Sequence, residues 1–408
     1  MQTAIGTRPV PAASLDVVVL GGGGHVGLPL SLALAESGLR VGIYDINQAT
    51  LDGIRAGRMP FREEGADDLL RRLLPTGRLA LSADPAMVGD ADCVIIVVGT
   101  PVDEFLGPSM RVFERAADQV AEYLRDGALV ILRSTVYPGT TEYVAQTLAD
   151  RGRRVDVAFC PERIAEGHAL EEFRTLPQIV GADDPRVGDR AETLFRRLTG
   201  QIIRTSSREA ELAKLLTNTW RYMKFAIANQ FFMVAHQAGV DYAAVLNAIR
   251  QDYPRAADLP GPGFAAGPCL FKDTMQLAAF TSDHFPMGQS AMQVNEGMPA
   301  YIVSTLERRH GTLRGRTVGI VGMAFKAESD DSRASLSYKL RKMLTWAGAR
   351  VLATDPYVVD DRLVPLETVL AESEIIVIGA PHRAYRELEL GDREVVDVWN
   401  ALGRGIRI

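Results

Sequence analysis

"VVVLGGGGHVGLPL", Val17 to Leu30, decides how the rest of the chain is read. A β-branched run leads straight into four glycines, and an apolar helical pattern follows. Gly22-x-Gly24-x-x-Gly27 has the spacing of a dinucleotide-binding turn. The first glycine permits the tight turn, the second lets backbone approach a pyrophosphate, and the third lets the helix pack close to the strand. The N–H groups opening the helix then face the phosphates. Taken alone, the spacing also fits a turn with no ligand. Asp45 narrows the choice, because it ends the next predicted strand, "RVGIYD" (40–45), where a carboxylate accepts from both ribose hydroxyls and repels a 2'-phosphate. The combination predicts NAD as cofactor rather than NADP. The apolar stretch Val17–Ala35 also resembles a membrane span or secretion signal, but the glycines interrupt it and no small-residue cleavage pattern follows. It reads as part of a soluble chain, preceded by a loose tail of about fourteen residues.

Outward from this stretch the pattern repeats. "DVVVL" (16–20), "CVIIVVGT" (93–100), "ALVILRST" (128–135) and "PQIVG" (177–181) read as buried strands alternating with helices, the mark of a parallel α/β sheet. From Arg208 to Gly239 the apolar positions recur at helical spacing with no internal Gly or Pro. At ~1.5 Å per residue this predicts a helix ~45 Å long, enough to bridge two domains or form a dimer seam. Beyond Arg314, "RTVGIVGMAF" (316–325), "ARVLATDPY" (349–357), "SEIIVIGAP" (373–381) and "EVVDVW" (394–399) restore the strand–helix rhythm. The predicted fold class is α/β: two Rossmann-like, doubly wound parallel-sheet domains joined by a long central helix and a helical region. The expected limits are 1–207, 208–310 and 311–408.

Bulk composition excludes some classes of partner. Net charge is −6 and no Lys/Arg-rich run stands out, which argues against nucleic-acid or membrane binding and leaves room for a local basic pocket. Cys93, Cys160 and Cys269 are too few and scattered for a disulfide framework, so a reducing cytoplasm is expected. The histidines show neither HExxH nor paired Cys/His spacing, so no metal site is predicted.

Several residues could carry chemistry, and each has a plainer reading. Thr100 and Thr135 fall where strands should end, as cofactor contacts or ordinary turn residues. Cys269, in "GPCLFKD", is a packed small hydrophobe or a nucleophile whose thiolate adds to an aldehyde. Lys214 and Asn218, four apart on the long helix, are solvated surface or two donors to one developing oxyanion. Glu162 and Glu166, in "CPERIAEG" (160–167), read as one helical turn apart, either surface charge or carboxylates able to activate water. Asp273 follows Cys269 by four residues.

These residues resemble the UDP-glucose/GDP-mannose dehydrogenase family from about Asp16 to Asn400. The likeness rests on "GGGHVGLPL", "GTP", "STVYPGTT", "PERIAEG", "KLLTNTW", "GPGFAAGPCLFKD" and "GMAFKAESDDSR" (322–333), in that order. It implies an NAD-binding first domain, a helical middle that forms a homodimer, and a last domain that holds a nucleotide-diphosphate sugar. It implies four-electron oxidation of the sugar C6 hydroxymethyl to a carboxylate, using two NAD. By the same resemblance Cys269 is the thioester nucleophile, Lys214 and Asn218 steady the oxyanion, and Lys214 also touches substrate. Asp273 works with a water as base. Glu162 serves thioester hydrolysis and substrate binding. Glu166, Lys272 and Arg333 match positions near NAD, Lys326 a contact to the nucleotide sugar, and Arg255 an arginine reaching the partner subunit's substrate.

UDP-glucose is the expected substrate, favoured by "CLFKDTMQL" (269–277). "DYPR" (252–255) and "NEGMP" (295–299) look instead like the branch acting on UDP-N-acetylhexosamines. The chain departs from the family at Ala265 and Ala266, where glycines are usual, and at Trp399, where many relatives have Arg. The latter keeps a thymidine diphosphate sugar in view. A two-electron β-hydroxyacid dehydrogenase needs neither the cysteine nor the residues after Arg314, and a non-catalytic NAD-binding protein would not need the filled polar positions.

Overall fold

The computed structural model describes residues 14–100, 111–282 and 284–408, so residues 1–13 of the predicted tail and Pro101 of "GTP" lie outside the described residues. The chain divides into two compact units, one reaching to Lys214 and the other beginning at Leu215.

The first unit is built on β1 (Val17–Leu20), β2 (Val41–Tyr44), β3 (Leu79–Ser82), β4 (Cys93–Ile96), β5 (Leu129–Leu132), β6 (Asp156–Phe159), β7 (Gln178–Gly181) and β8 (Ile202–Thr205). Their order in the sheet is β3-β2-β1-β4-β5-β6-β7-β8. Every neighbour runs parallel except β6 against β7. The first six strands thus follow the order of dinucleotide-binding sheets, with the reversal between β1 and β4. β1, β2, β4, β5 and β7 are buried at every position, as parallel strands covered by helices on both faces should be. The strand expected over 93–100 ends at Ile96. Gly21 crosses there so closely that a Cβ on it would lie 2.2 Å from the Val97 carbonyl oxygen.

The second unit carries β9 (Thr317–Val321), β10 (Arg350–Thr354), β11 (Ile375–Ile378) and β12 (Glu394–Val396), all parallel in the order β10-β9-β11-β12. The predicted long helix spans Ser207–Gln237, so it begins in the first unit and enters the second. Phe232, Tyr242, Met298, Ile302 and Leu306 from the helical segment share one core with Val318, Ile320, Ile375 and Val377 of the sheet. Among the described residues no helix is long and apolar enough to cross a membrane.

Candidate functional site

In the first unit the glycine loop leaves β1 and the helix Gly27–Glu36 follows. A Cβ at Gly27 would stand 2.3 Å from the Gly21 carbonyl oxygen, so this glycine lets helix and loop close together. A Cβ at Gly24 would meet only that same oxygen, at 3.5 Å, an ordinary contact. Nothing in the protein's own packing demands a glycine at 24, whereas an approaching pyrophosphate does. Asp45 Oδ2 accepts from Gly23 N at 2.9 Å and Oδ1 from Asn47 N at 3.0 Å. About half of the roughly four lone-pair sites on this half-buried carboxylate are used, which leaves acceptors for ribose hydroxyls. The loop and its acid therefore fit NAD. Thr100 and Thr135 follow the carboxyl ends of β4 and β5, beside the strand reversal.

Glu162 follows β6, but not on a helix. The residues from Cys160 to His168 form an extended loop and a turn, so Glu162 and Glu166 are not stacked on one helical face as expected. Side chains claim the amides that a helix would use. Glu162 Oε1 accepts from Arg163 N at 2.7 Å and Ile164 N at 3.0 Å, and Glu172 accepts from Ala165 N. Glu63 accepts from Gly167 N at 2.8 Å and Ala169 N at 2.7 Å. Glu166 itself is half-buried.

Arg133, which the sequence did not single out, organises this loop. Its guanidinium is fully buried between Phe173 and Phe195, 5.7 and 4.8 Å from their ring centres. Nε donates to Glu162 Oε2 at 2.8 Å, Nη1 to the Cys160 carbonyl at 3.1 Å and Nη2 to Gln178 Oε1 at 3.0 Å; Nη2 also lies 2.6 Å from Glu162 Oε2. Four donors surround the roughly four lone-pair sites of Glu162, so the carboxylate must release one before it can accept from water.

The three cysteines have different fates. Cys93 and Cys160, both in the first unit, are buried, and burial pushes their thiols up to about 12. Cys269 alone is exposed, as the N-cap of the helix Leu270–Phe280. First-turn N–H groups there favour negative charge that develops beside them. Asp273, on the first turn, is fully buried; its Oδ2 accepts from Asn218 Nδ2 at 2.6 Å and its Oδ1 lies 3.0 Å from Lys272 Nζ. Lys214 and Asn218 are 9% and 4% exposed, so neither is the solvated surface residue that the plainer reading allowed.

The remaining candidates lie in the second unit. Lys326 Nζ stands 5.7 Å over the Phe325 ring, Arg333 pairs with Asp331 at 2.6 Å, and exposed Arg255 lies over Tyr253.

Three family models of the UDP-glucose/GDP-mannose dehydrogenases match in succession: the NAD-binding domain over residues 16–199, the central domain over 208–297 and the UDP-binding domain over 319–404. Among curated relatives, the chain is 31% identical to a UDP-N-acetyl-D-mannosamine dehydrogenase of Pyrococcus horikoshii, covering 96% of this chain and 93% of that one. It is 29% identical to an NDP-N-acetyl-D-galactosaminuronic acid dehydrogenase of Ralstonia nicotianae, over 93% and 95% of the two chains. The solved UDP-glucose dehydrogenase of Pyrobaculum islandicum superposes with a TM-score of 0.89 at 32% identity, covering 97% of this chain and 96% of that one.

Proposed function

The chain belongs to the UDP-glucose/GDP-mannose dehydrogenase family and is an NAD-dependent nucleotide-sugar 6-dehydrogenase; we propose that its substrate is a UDP-N-acetylhexosamine, oxidised by four electrons. The observation that carries the choice of sugar is the pair of curated relatives, both named for N-acetylhexosamine derivatives and both matched over nearly the whole chain. UDP-glucose, expected from the sequence, remains the second reading, favoured by the similarity to the Pyrobaculum enzyme.

Gly22, Gly24, Gly27 and Asp45, with Thr100, Thr135, Glu166, Lys272 and Arg333 as further contacts, would hold NAD, which would accept one hydride from C6 in each of two oxidations, alcohol to aldehyde and then hemithioacetal to thioester, a second NAD replacing the first NADH. The protein's own part centres on Cys269. Its sulfur adds to the C6 aldehyde and forms a C–S bond; loss of the second hydride from that carbon leaves a thioester. Water then adds, the C–S bond breaks, and the acid leaves as the thiol re-forms. Lys214 and Asn218 donate to the oxygen that becomes negative at each addition. Asp273 orients water as a base, and its buried hydrogen bond to Asn218 ties base and donor into one unit. Glu162 is assigned to the hydrolytic stage and, with Lys214, Lys326 and Arg255, to holding the substrate.

The proposed domains are 1–207, 208–310 and 311–408, and the proposed assembly is a homodimer through the long helix. Leu216, Trp220, Ile227, Phe231 and Val234 are all exposed on it. At ~100° per residue they fall within a stripe about 60° wide, the apolar seam a second copy would cover.

A panel of UDP-N-acetylmannosamine, UDP-N-acetylglucosamine, UDP-glucose and TDP-glucose, followed by NADH absorbance, tests the reading. Two NADH per sugar are expected, fastest with an N-acetylhexosamine, from protein that light scattering finds at twice the chain mass. Fastest turnover with UDP-glucose sinks the sugar assignment, and one NADH per sugar sinks the four-electron course.

A further inference from the structure

The loop that delivers Cys269 rests on the carboxyl edge of the second sheet, where open α/β sheets bind their ligands. Two aromatic rings form the seat. Phe325 lies just past β9 and Trp399 just past β12. Gly263, at φ +148, lies so close to the six-membered ring of Trp399 that a Cβ would stand 2.3 Å from its carbons. Gly267, at φ +98, meets Phe325 in the same way, its Cβ position 2.5 Å from the ring. Between these points Phe264 and Ala265 are buried, and Phe264 meets Trp399 edge to face at 6.1 Å between centroids. Backbone bonds complete the hold: Gly263 N donates to Asn229 Oδ1 at 2.8 Å and Gly267 N to the Ala334 carbonyl at 3.3 Å. Asn229 is itself fixed by buried Asn295, at 2.9 Å.

Trp399 Nε1 is buried with no acceptor among the described residues. What the ring offers this segment is its apolar surface, which Gly263 and Phe264 meet directly. From the ring contact and the two crowded glycines we propose that Trp399 is a positioning residue. It presses the segment Gly261–Pro268 onto the sheet edge and so sets where Cys269 stands relative to the substrate that this edge binds. The proposal rests on the reading of Cys269 as nucleophile.

The test compares Trp399→Ala with Trp399→Phe in the full-length protein. Chymotryptic cleavage after Phe264, followed by mass spectrometry under native conditions, reports whether the segment is seated, independently of any chemistry. In W399A this cleavage is expected to rise about tenfold or more, since buried Phe264 becomes reachable once the segment lifts. kcat is expected to fall by roughly ten- to a hundredfold while the KM for NAD stays within about twofold, the signature of a displaced reacting group. W399F, which keeps a flat ring without the N–H, is expected to stay near wild type in both measurements. W399L carries the same test should W399A fail to fold.

Unchanged cleavage in W399A, or faster cleavage with an unaltered kcat, overturns the proposal. So does a W399F as impaired as W399A. Cys269→Ser separates the underlying reading: if that variant still makes acid at the wild-type rate, the nucleophile assignment fails whatever happens to the cleavage.

Discussion

Asp45 and Asp355 hold the same place in two sheets of one design. Each follows the strand beside its sheet's first strand, and each accepts hydrogen bonds from the loop after that first strand. Their surroundings differ. Asp45 is half-buried and takes Gly23 N and Asn47 N, so acceptor capacity remains. The Asp355 side chain is fully buried. Its Oδ2 takes Met323 N at 2.6 Å, Ala324 N at 3.0 Å and His382 Nε2 at 3.1 Å, and its Oδ1 takes Tyr357 N at 2.8 Å and Val358 N at 3.0 Å. His382 Nδ1 accepts from Glu328 N at 2.9 Å, which leaves Nε2 as the protonated nitrogen facing Asp355. A carboxylate in this position reads a ribose only if the fold leaves its lone pairs free. In the second sheet the same acid has become an internal strut, and no dinucleotide can use it.

Truncating each acid should separate the two roles. Asp355→Ala strands five donors in a dry site and is expected to cost about 3–5 kcal/mol of stability, read by denaturant unfolding. Asp45→Ala is expected to leave stability within about 1 kcal/mol while raising the KM for NAD roughly ten- to a hundredfold, the value of hydrogen bonds to a charged acceptor. If D45A destabilised as strongly as D355A with NAD affinity intact, the contrast would collapse.

Acidification tests the strut from another side. Burial works against the Asp355 charge, but the His382 bond and charge and the Val358 and Tyr357 amides outweigh it and hold the carboxyl at about 2. The unfolded chain, with an ordinary value near 3.9, therefore binds the proton first as pH falls. The contribution is fully present above about pH 4 and disappears as pH drops through about 2, amounting to ~2 kcal/mol. Melting curves between pH 5 and 2.5 should show a loss in the wild type that Asp355→Asn lacks. Parallel slopes in the two proteins would remove Asp355 as the linked group.

The same comparison explains what the sequence made legible. The glycine loop, Asp45 and the long helix carry strong local signals, since turn chemistry and periodicity act over a few residues. β3, β6 and β8 did not show. β3 and β8 are the partly exposed edge strands of the sheet, and β6 begins with Asp156, so none offers a fully buried apolar run. The chemical groups were legible as types but not as partners. Asn218 and Asp273 are 55 residues apart and meet only through helix packing. Arg133 sits in an apolar strand run and gives no sign of being buried, because its partners are remote in sequence, Glu162 in the loop after β6 and Gln178 at the start of β7. The helical turn expected for Glu162 failed because side-chain carboxylates compete for the same backbone amides.

Glycines give the finest version of the contrast. In the second sheet Gly322 (φ +97) and Gly379 are crowded by backbone, their Cβ positions 2.4 Å from Ala380 N and 2.2 Å from the Gly322 carbonyl oxygen. Both serve packing. In the first loop Gly27 is crowded in the same manner, whereas Gly24 meets nothing nearer than 3.5 Å. Gly24→Ala should therefore change stability by less than about 1 kcal/mol. The added methyl stands where the pyrophosphate must approach, so the KM for NAD is expected to rise about tenfold, equivalent to ~1.4 kcal/mol. Thermal melting and NAD titration of one preparation decide it. An unchanged KM would mean that the open face of Gly24 does not look toward the cofactor, and the first loop would then be as purely structural as its counterpart in the second sheet.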